Sequence, residues 1–156
     1  LADVTVWADD QTAVTDRNPH RLTHAAADQI INVSDAELTK NIDGPVNVII
    51  EATGSMTALQ EALPLLAPGG TILLLGYYQK LELPYMPLFL KEARLLTAKE
   101  WQSGDLQRCR DLIADGKLTV GSMLTHTYPI HQVAQAYDTA MNDMNCLKCV
   151  LEWNGI

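Results

Sequence analysis

The sequence predicts an α/β fold with a parallel sheet and flanking helices, because short apolar runs alternate with amphipathic helical patterns. The segment 46–54, VNVIIEATG, is almost continuously apolar, which is typical of a strand covered on both faces. A helical pattern follows it directly, and a second apolar run, TILLLGYY at 71–78, comes next. This strand–helix–strand order is the one that places neighbouring strands parallel.

Composition limits the classes of partner. The chain has 156 residues, 47% of them hydrophobic, which is sufficient for one domain with a core. Its net charge of −8 argues against nucleic acid and anionic membrane surfaces as main partners. No apolar run is long enough to span a bilayer. Three cysteines are too few for a disulfide framework, so we expect reduced thiols and a cytoplasmic location.

The first elements are short. An extended run at 3–7 precedes a second strand that ends at Asp16, and Pro19 fits the first turn of a short helix. The apolar run at 29–33, QIINV, predicts the next strand. Ser34 follows it as a potential helix N-cap.

Capping and breaking residues set the expected helix limits. Glu37, three residues after Ser34, completes a capping-box pattern. The amphipathic helix predicted at 55–70 ends in the Pro-Gly-Gly of residues 68–70. The strand at 71–78 then follows.

The later elements are, in chain order, a segment at 87–101 that is either one helix or a helix leading into a strand, helices at 103–118 and 131–141, and a closing strand at 146–153. Ser103 or Asp105 is the expected cap of the helix at 103–118, and Gly116 its end.

Candidate site residues come from strand ends, because ligands of parallel sheets bind beyond the carboxyl ends of the strands. Asp16 can accept hydrogen bonds from both hydroxyls of an adenosine ribose, which favours NAD over its 2′-phosphorylated form. Arg17 weakens that preference, since an arginine there can hold a phosphate. Asp9 is a rival for the same role, and an ordinary turn or helix cap also explains an aspartate at this point.

Two glycines extend the candidate site. Thr53-Gly54 and Gly76 each end a strand, and a glycine there allows a ligand to approach the backbone closely. A turn that requires glycine explains each of them equally well when taken alone.

Other chemistries lack their residues. Cys146 and Cys149 have a spacing found in zinc sites, but three residues apart on a strand they point to opposite faces. The sequence contains no H-E-x-x-H motif, no G-x-S-x-G motif and no P-loop. We therefore predict no metal site and identify no catalytic residue in the chain.

From Asp16 onward the sequence resembles the medium-chain dehydrogenase/reductase superfamily, the zinc-type alcohol dehydrogenases. DRNPHRL, EATG followed by a helix, and APGGTILLLG carry the resemblance. It implies a Rossmann-like coenzyme domain, assigned to residues 1–122, and a segment 123–156 that packs back toward a catalytic domain. It also implies that Ala52, Thr53, Gly54, Gly76 and Tyr77 border the nicotinamide half of NAD, with Asp16 and Arg17 at the adenosine ribose.

A narrower resemblance is to the dehydrogenases of bacteriochlorophyll synthesis that oxidise the 3-(1-hydroxyethyl) group of a bacteriochlorophyllide to acetyl. The string EWQ at 100–102 and the CLK before Trp153 carry it. It implies a tetrapyrrole substrate, which the aromatic side chains after the last core strand could face. The superfamily also implies a homodimer formed through the segment 87–100.

The glycine-rich fingerprint of such domains is missing, because the nine glycines never form G-x-G-x-x-G. We expect a truncated domain whose first strand and glycine loop are absent, and which has little activity alone. The central gap would be closed by direct pairing of its neighbours, by a segment within 1–15, or by another chain. Other readings are a polyol or threonine dehydrogenase, and a non-enzymatic α/β regulatory module.

Overall fold

The structure is a computed structural model that describes residues 4–8 and 11–153. The chain divides into two compact units, Leu1–Lys99 and Glu100–Ile156. The last strand of the main sheet ends at Thr97, just before this division. Within the described ranges, no helix has the length and apolar character needed to cross a bilayer.

The first unit is built on a six-stranded sheet. Its strands are β1 (Val4–Ala8), β2 (Gln11–Asp16), β3 (Gln29–Asn32), β4 (Val46–Glu51), β5 (Leu66–Leu74) and β6 (Arg94–Thr97). Their spatial order is β3-β2-β1-β4-β5-β6. The pairs β2–β3, β4–β5 and β5–β6 are parallel, whereas β1 is antiparallel to both β2 and β4. The strands β2 to β6 therefore all point one way, and their carboxyl ends share one edge of the sheet.

The central position of the sheet is filled by β1. Val4 pairs with Thr15 on one side and with Glu51 on the other. Of the three expected ways of closing the centre, the structure shows the second, a strand made from residues within 1–15. An empty position would leave two rows of backbone groups without partners. Because β1 runs antiparallel, it begins at the edge where its neighbours end, so no turn into a helix follows it there.

The helices of the first unit are α1 (Pro19–Leu22), α2 (Leu38–Asn41), α3 (Met56–Ala62) and α4 (Tyr85–Leu90). The Ser55 hydroxyl caps α3 by accepting a hydrogen bond from the Ala58 amide at 3.3 Å. The expected cap at Ser34 is wrong, since α2 begins only after Glu37. The Ser34 hydroxyl instead donates to the carbonyl of Arg17 at 3.0 Å.

The helix expected at 55–70 is shorter in the structure. The α-helix ends at Ala62, a 3-10 turn occupies Leu63–Leu65, and residues 68–70 lie inside β5. Lys91 explains the early change to strand, because its ammonium donates to the carbonyls of Pro64 and Leu66. The segment 87–101 is a helix leading into a strand, the first of the two alternatives, as α4 followed by β6.

A hydrophobic core lies between the sheet and the helices packed on it. Ile49 of β4, Ile72 of β5 and Leu59 of α3 are completely buried. Each such side chain contributes about 2 kcal/mol through removal from water. The same cluster includes Ala13, Ile31, Leu38, Ile42, Val46, Ala62, Leu63, Leu65, Leu66 and Leu74. This core fixes the ends of β2, β4 and β5 relative to one another.

The second unit contains α5 (Asp105–Ala114), β7 (Leu124–Pro129), α6 (Val133–Asn142) and β8 (Lys148–Glu152). β7 and β8 are parallel, and the intervening helix α6 buries Ala136. β7 is not predicted by the sequence, because LTHTYP is polar and does not alternate. Gly104 precedes α5 as its cap, so the assignment to Ser103 or Asp105 is wrong. The Asp105 carboxylate instead accepts a hydrogen bond from the Gln102 amide at 2.7 Å.

Candidate functional site

The predicted site residues all lie at the carboxyl edge of the main sheet. Asp16 is the last residue of β2, Ala52–Gly54 follow β4 directly, and Gly76 and Tyr77 follow β5 closely. The strand order places β1 between β2 and β4, with β5 next to β4. The edge therefore presents the β2 end at one side and the β4 and β5 ends at the other.

Asp16 is a buried carboxylate with an unused oxygen. The residue is 2% exposed, and its Oδ1 accepts a hydrogen bond from the Asn18 amide at 2.8 Å. Its Oδ2 is buried and has no hydrogen-bond partner. A buried, unsatisfied carboxylate oxygen is costly, so this atom is suited to a ligand that brings a donor. A ribose hydroxyl is such a donor. The rival candidate Asp9 lies outside the described residues.

A cavity of about 110 Å³ opens between the ends of β2 and β4. Its lining residues are Thr15, Arg17, Val33, Leu38, Thr53, Ser55, Ala58 and Glu61. A larger depression of about 570 Å³ shares Val33, Leu38 and Glu61 with it. Three of the eight residues that line the smaller cavity are apolar, and the other five are polar or charged. Arg17, predicted at the adenosine ribose, and Thr53, predicted at the nicotinamide half, line this same cavity.

Gly54 and Gly76 form a close backbone contact at the ends of β4 and β5. Gly54 has a φ of +74°, and a Cβ there would lie 2.6 Å from the Tyr77 carbonyl oxygen. A Cβ on Gly76 would lie 2.7 Å from the Cα of Gly54. Neither position can hold a larger residue without a shift of backbone. The Tyr77 side chain is 89% exposed, and only its backbone takes part in this contact.

Glu51, the last residue of β4, is completely buried under this contact. Its carboxylate accepts hydrogen bonds from the Thr53 amide at 2.7 Å and from the Gly54 amide at 3.2 Å. The hydroxyls of Thr53 and Tyr78 also donate to it. An acidic residue that closes an apolar strand directly before Ala-Thr-Gly is its signal in the sequence.

The aromatic residues considered for a flat substrate are dispersed. Tyr78 is half-buried against Glu51. Tyr85 and Phe89 stack on the surface of α4 with ring centroids 5.6 Å apart, and they are 69% and 58% exposed. Trp101 belongs to the second unit. Of these rings, Tyr85 and Phe89 are a stacked pair on the surface of the first unit.

The cysteines do not form a metal centre with other ligands. In the part of the chain that the structure describes, no group of three or more His, Cys, Asp and Glu could hold a metal ion. Cys146 lies before β8 rather than in it, because β8 begins at Lys148. Burial, together with the neighbouring Cys146, raises the pKa of the Cys149 thiol.

The β2 end has an acceptor that could hold the adenosine half of a nicotinamide dinucleotide. The unpaired Oδ2 of Asp16 could accept a hydrogen bond from a ribose hydroxyl, and Arg17 follows it directly in the chain. The contact of Gly54 with Gly76 leaves backbone, rather than side chains, for the other half to approach. The sequence supplies no G-x-G-x-x-G turn for the pyrophosphate.

Comparison with known proteins gives a consistent assignment. The family model described as zinc-binding dehydrogenase matches residues 8–115. The chain is 41% identical over 106 residues to the 2-desacetyl-2-hydroxyethyl bacteriochlorophyllide A dehydrogenase of Cereibacter sphaeroides, covering 67% of this chain and 33% of that protein. It is 35% identical over 141 residues to the protein of the same name from Rhodobacter capsulatus, covering 90% and 43%. The chain thus spans less than half the length of these relatives.

Solved structures show the same fold. An Escherichia coli alcohol dehydrogenase complexed with NADH matches with a TM-score of 0.74 and 24% identity, over 88% of this chain and 43% of the other. A zinc-binding dehydrogenase from Sinorhizobium meliloti bound to NADP matches with a TM-score of 0.71 and 20% identity, over 80% and 40%.

Proposed function

Because the chain belongs to the zinc-binding dehydrogenase family, we propose that it is the coenzyme-binding part of an NAD-dependent enzyme that oxidises a secondary alcohol to a ketone. The family and its relatives make it a medium-chain alcohol dehydrogenase-like domain. The observation that carries the choice of coenzyme is the buried, unpaired Oδ2 of Asp16 at the end of β2. Two vicinal ribose hydroxyls can satisfy this oxygen, whereas a 2′-phosphate would place a second negative charge against it.

Arg17 is the residue that would favour NADP over NAD. It is exposed and lines the cavity next to Asp16, where a guanidinium can pair with a phosphate. The similar structures include one with NADH and one with NADP, so the fold alone is compatible with either coenzyme. We assign NAD because Asp16 is buried and fixed, whereas an exposed arginine is solvated and its charge is screened.

For the substrate we propose the 3-(1-hydroxyethyl) group of a bacteriochlorophyllide, oxidised to 3-acetyl in bacteriochlorophyll a synthesis. Support comes from the two relatives whose names specify that hydroxyethyl substrate. The oxidation removes a hydride from the carbinol carbon and a proton from its hydroxyl, and the oxidised nicotinamide takes up the hydride. In this chain, the proposed role of Asp16, Thr53, Gly54 and Gly76 is to bind and orient that coenzyme.

A polyol or sugar-acid dehydrogenase is the alternative of the same class. The chain is 28% identical over 151 residues to the L-galactonate-5-dehydrogenase of Escherichia coli, covering 90% of this chain and 44% of that protein. The two candidates differ in substrate size, so an assay of the longer protein with hydroxyethyl bacteriochlorophyllide and with L-galactonate or sorbitol separates them. Turnover of the sugar derivatives alone would reject the tetrapyrrole assignment.

We also propose that the protein is a cytoplasmic homodimer that pairs through β6. In the described residues β6 pairs only with β5, which leaves its other edge open. Leu95 and Leu96 on β6 are 41% and 53% exposed, and Phe89 and Leu90 of α4 are also exposed. An apolar edge strand of this kind is a template for pairing with a second chain.

The direct test of the coenzyme assignment is a titration of the chain with NAD⁺ and with NADP⁺ by isothermal calorimetry. We expect NAD⁺ to bind at least about tenfold more tightly, the ratio expected from leaving one buried charge uncompensated. Equal affinity for the two coenzymes, or preference for NADP⁺, would contradict the assignment of NAD. It would indicate that Arg17 binds the 2′-phosphate. Binding of neither would contradict the coenzyme-binding function itself.

A further inference from the structure

We propose that Glu51 is a positioning residue of the coenzyme cleft, whose buried carboxylate holds the ends of β4 and β5 together so that Gly54 and Gly76 present bare backbone to the nicotinamide half. The inference rests on the proposed coenzyme-binding function and assigns a role to a residue that is not among the predicted coenzyme-binding residues. Glu51 does not line the cavity itself, but it accepts a hydrogen bond from the amide of Thr53, which does.

Glu51 joins both loops through its backbone and its side chain. Its carbonyl oxygen accepts hydrogen bonds from the amides of Leu75 at 2.7 Å and Gly76 at 3.0 Å. Its carboxylate accepts those of Thr53 and Gly54, at 2.7 Å and 3.2 Å. Residues 53–54 after β4 and residues 75–76 after β5 are therefore all bonded to Glu51, the former to its side chain and the latter to its carbonyl oxygen.

The tyrosine after β5 completes this attachment. The Tyr78 hydroxyl donates to Oε2 of Glu51, and its half-buried ring packs against the hydrophobic core. The same Oε2 lies 2.6 Å from the place that a Cβ on Gly76 would take. The carboxylate thus lies directly beneath Gly76, with donors on both of its oxygens.

The role follows from the cost of this burial. A carboxylate with no exposed surface is expensive to hold in the interior unless several donors satisfy it, and here four do so. Three of them come from the loop after β4 and one from the loop after β5. If either loop moved outward, the charge would lose donors that the core cannot replace. The carboxylate therefore opposes separation of the two loops.

The position of the loops explains why the nicotinamide half should depend on them. Asp16 lies at the end of β2, and β5 lies three strand positions away, about 14 Å at the usual strand spacing. A dinucleotide whose ribose is bound at Asp16 and which extends along this edge reaches the ends of β4 and β5 with its other half. The adenosine ribose at Asp16 lies two strand positions from Glu51 in β4, so its binding should respond much less to Glu51 than that of the nicotinamide half.

The test compares NAD⁺ with ADP-ribose, which lacks the nicotinamide. The change Glu51→Gln keeps the shape but leaves one acceptor oxygen where two were present. We expect the Kd for NAD⁺ to rise about tenfold, the effect of losing hydrogen bonds to a charged group, and that for ADP-ribose to stay within about twofold. Equal weakening of both ligands, or no change in either, would overturn the proposal. Glu152→Gln, at an exposed carboxylate of the second unit, is the matched control.

A second variant covers the case in which Glu51→Gln does not fold. Tyr78→Phe keeps the ring in the core and removes only the hydroxyl that donates to Glu51. We expect it to raise the Kd for NAD⁺ about threefold, again without effect on ADP-ribose. An unchanged Kd for NAD⁺ in this variant would also overturn the proposal.

Amide hydrogen exchange measured without any ligand tests the role of Glu51 independently of coenzyme binding. In Glu51→Gln we expect the amides of Thr53 and Gly54 to exchange about tenfold faster, while that of Ile49 in the core keeps its protection. Uniformly faster exchange, or none, would contradict the positioning role. If the wild-type chain binds neither NAD⁺ nor ADP-ribose, the proposed function fails, and the exchange data still decide whether Glu51 holds the two loops.

Discussion

The Cα of Gly54 lies 2.7 Å from the place that a Cβ on Gly76 would occupy, so the ends of β4 and β5 touch through backbone alone. This contact lies at the carboxyl edge of the sheet, beside the cavity bordered by Thr53. Glycine is required at both positions because the two loops pack backbone against backbone. It would also allow a coenzyme to approach the backbone closely. Mutations can test the packing role and the binding role separately.

Substitution of Gly54 by alanine should destabilise the chain strongly. Its φ of +74° and the Tyr77 oxygen 2.6 Å from the new Cβ both oppose a side chain. We expect a loss of about 3 kcal/mol in the free energy of unfolding, measured by urea denaturation. Gly69→Ala is the matched control, because its φ is +72° but nothing lies within 4 Å, and it should lose only about 1 kcal/mol. Equal losses would show that the contact with Tyr77 is unimportant.

Asp16→Asn should separate stability from binding. Asparagine keeps an acceptor for the Asn18 amide and removes a buried charge whose Oδ2 has no partner. We therefore expect the melting temperature to stay the same or rise, and the Kd for NAD⁺ to increase about tenfold. Differential scanning fluorimetry and calorimetry measure the two effects. A fall in melting temperature with unchanged NAD⁺ affinity would make Asp16 a structural residue only.

If the chain forms a dimer through the open edge of β6, one charged substitution on that strand should prevent it. Leu96→Lys places a cation on the open edge of an apolar strand and should convert a dimer to a monomer. Sedimentation velocity distinguishes the two states. Leu106→Lys on α5 is the control, since Leu106 is 58% exposed but lies in the second unit. A Leu96→Lys protein that remains dimeric would rule out pairing through this edge.

The hydrogen bonds between Asp28 and Thr12 should make the stability of the fold depend on pH in the acid range. Hydrogen bonds from the Thr12 amide at 2.8 Å and the Thr12 hydroxyl at 3.1 Å lower the pKa of the Asp28 carboxyl. The folded pKa is below the unfolded one, so the stabilisation is present above the unfolded pKa and is lost as pH falls through the folded pKa. Asp28→Asn should therefore lower the melting temperature at pH 7 and make no difference at about pH 2, below the ordinary range of aspartate. A difference that persists in acid would contradict this assignment.

The parts of the fold that the sequence predicted correctly are those with a strong local signal. The continuous apolar pattern of β4 and the aspartate that ends β2 follow from burial and from the turn after it. β7 gave no signal, because its polar residues owe their strand conformation to pairing with β8. The antiparallel β1 was also unpredictable, since short-range pattern does not specify strand direction.

The candidate site residues were proposed from the same kind of local signal. Asp16 ends β2, and Thr53 and Gly54 follow β4, so chain position alone suggested them. Glu51 also ends a strand, but its hydrogen bond from Tyr78, a residue remote in sequence, could not be predicted from chain position. A buried acid at a strand end is visible in sequence only as an exception to an apolar pattern.

The most direct test of the coenzyme-binding function is residue-resolved NMR of the labelled chain during titration with NADH. The account predicts that the amides of Asp16 and Arg17, and those of Thr53 to Ser55, shift together and saturate with one Kd. We also expect the amide resonances of the second unit, such as those of α5, to keep their chemical shifts. Shifts confined to other surfaces, or no saturable shift at all, would contradict the assignment of this edge as the coenzyme site.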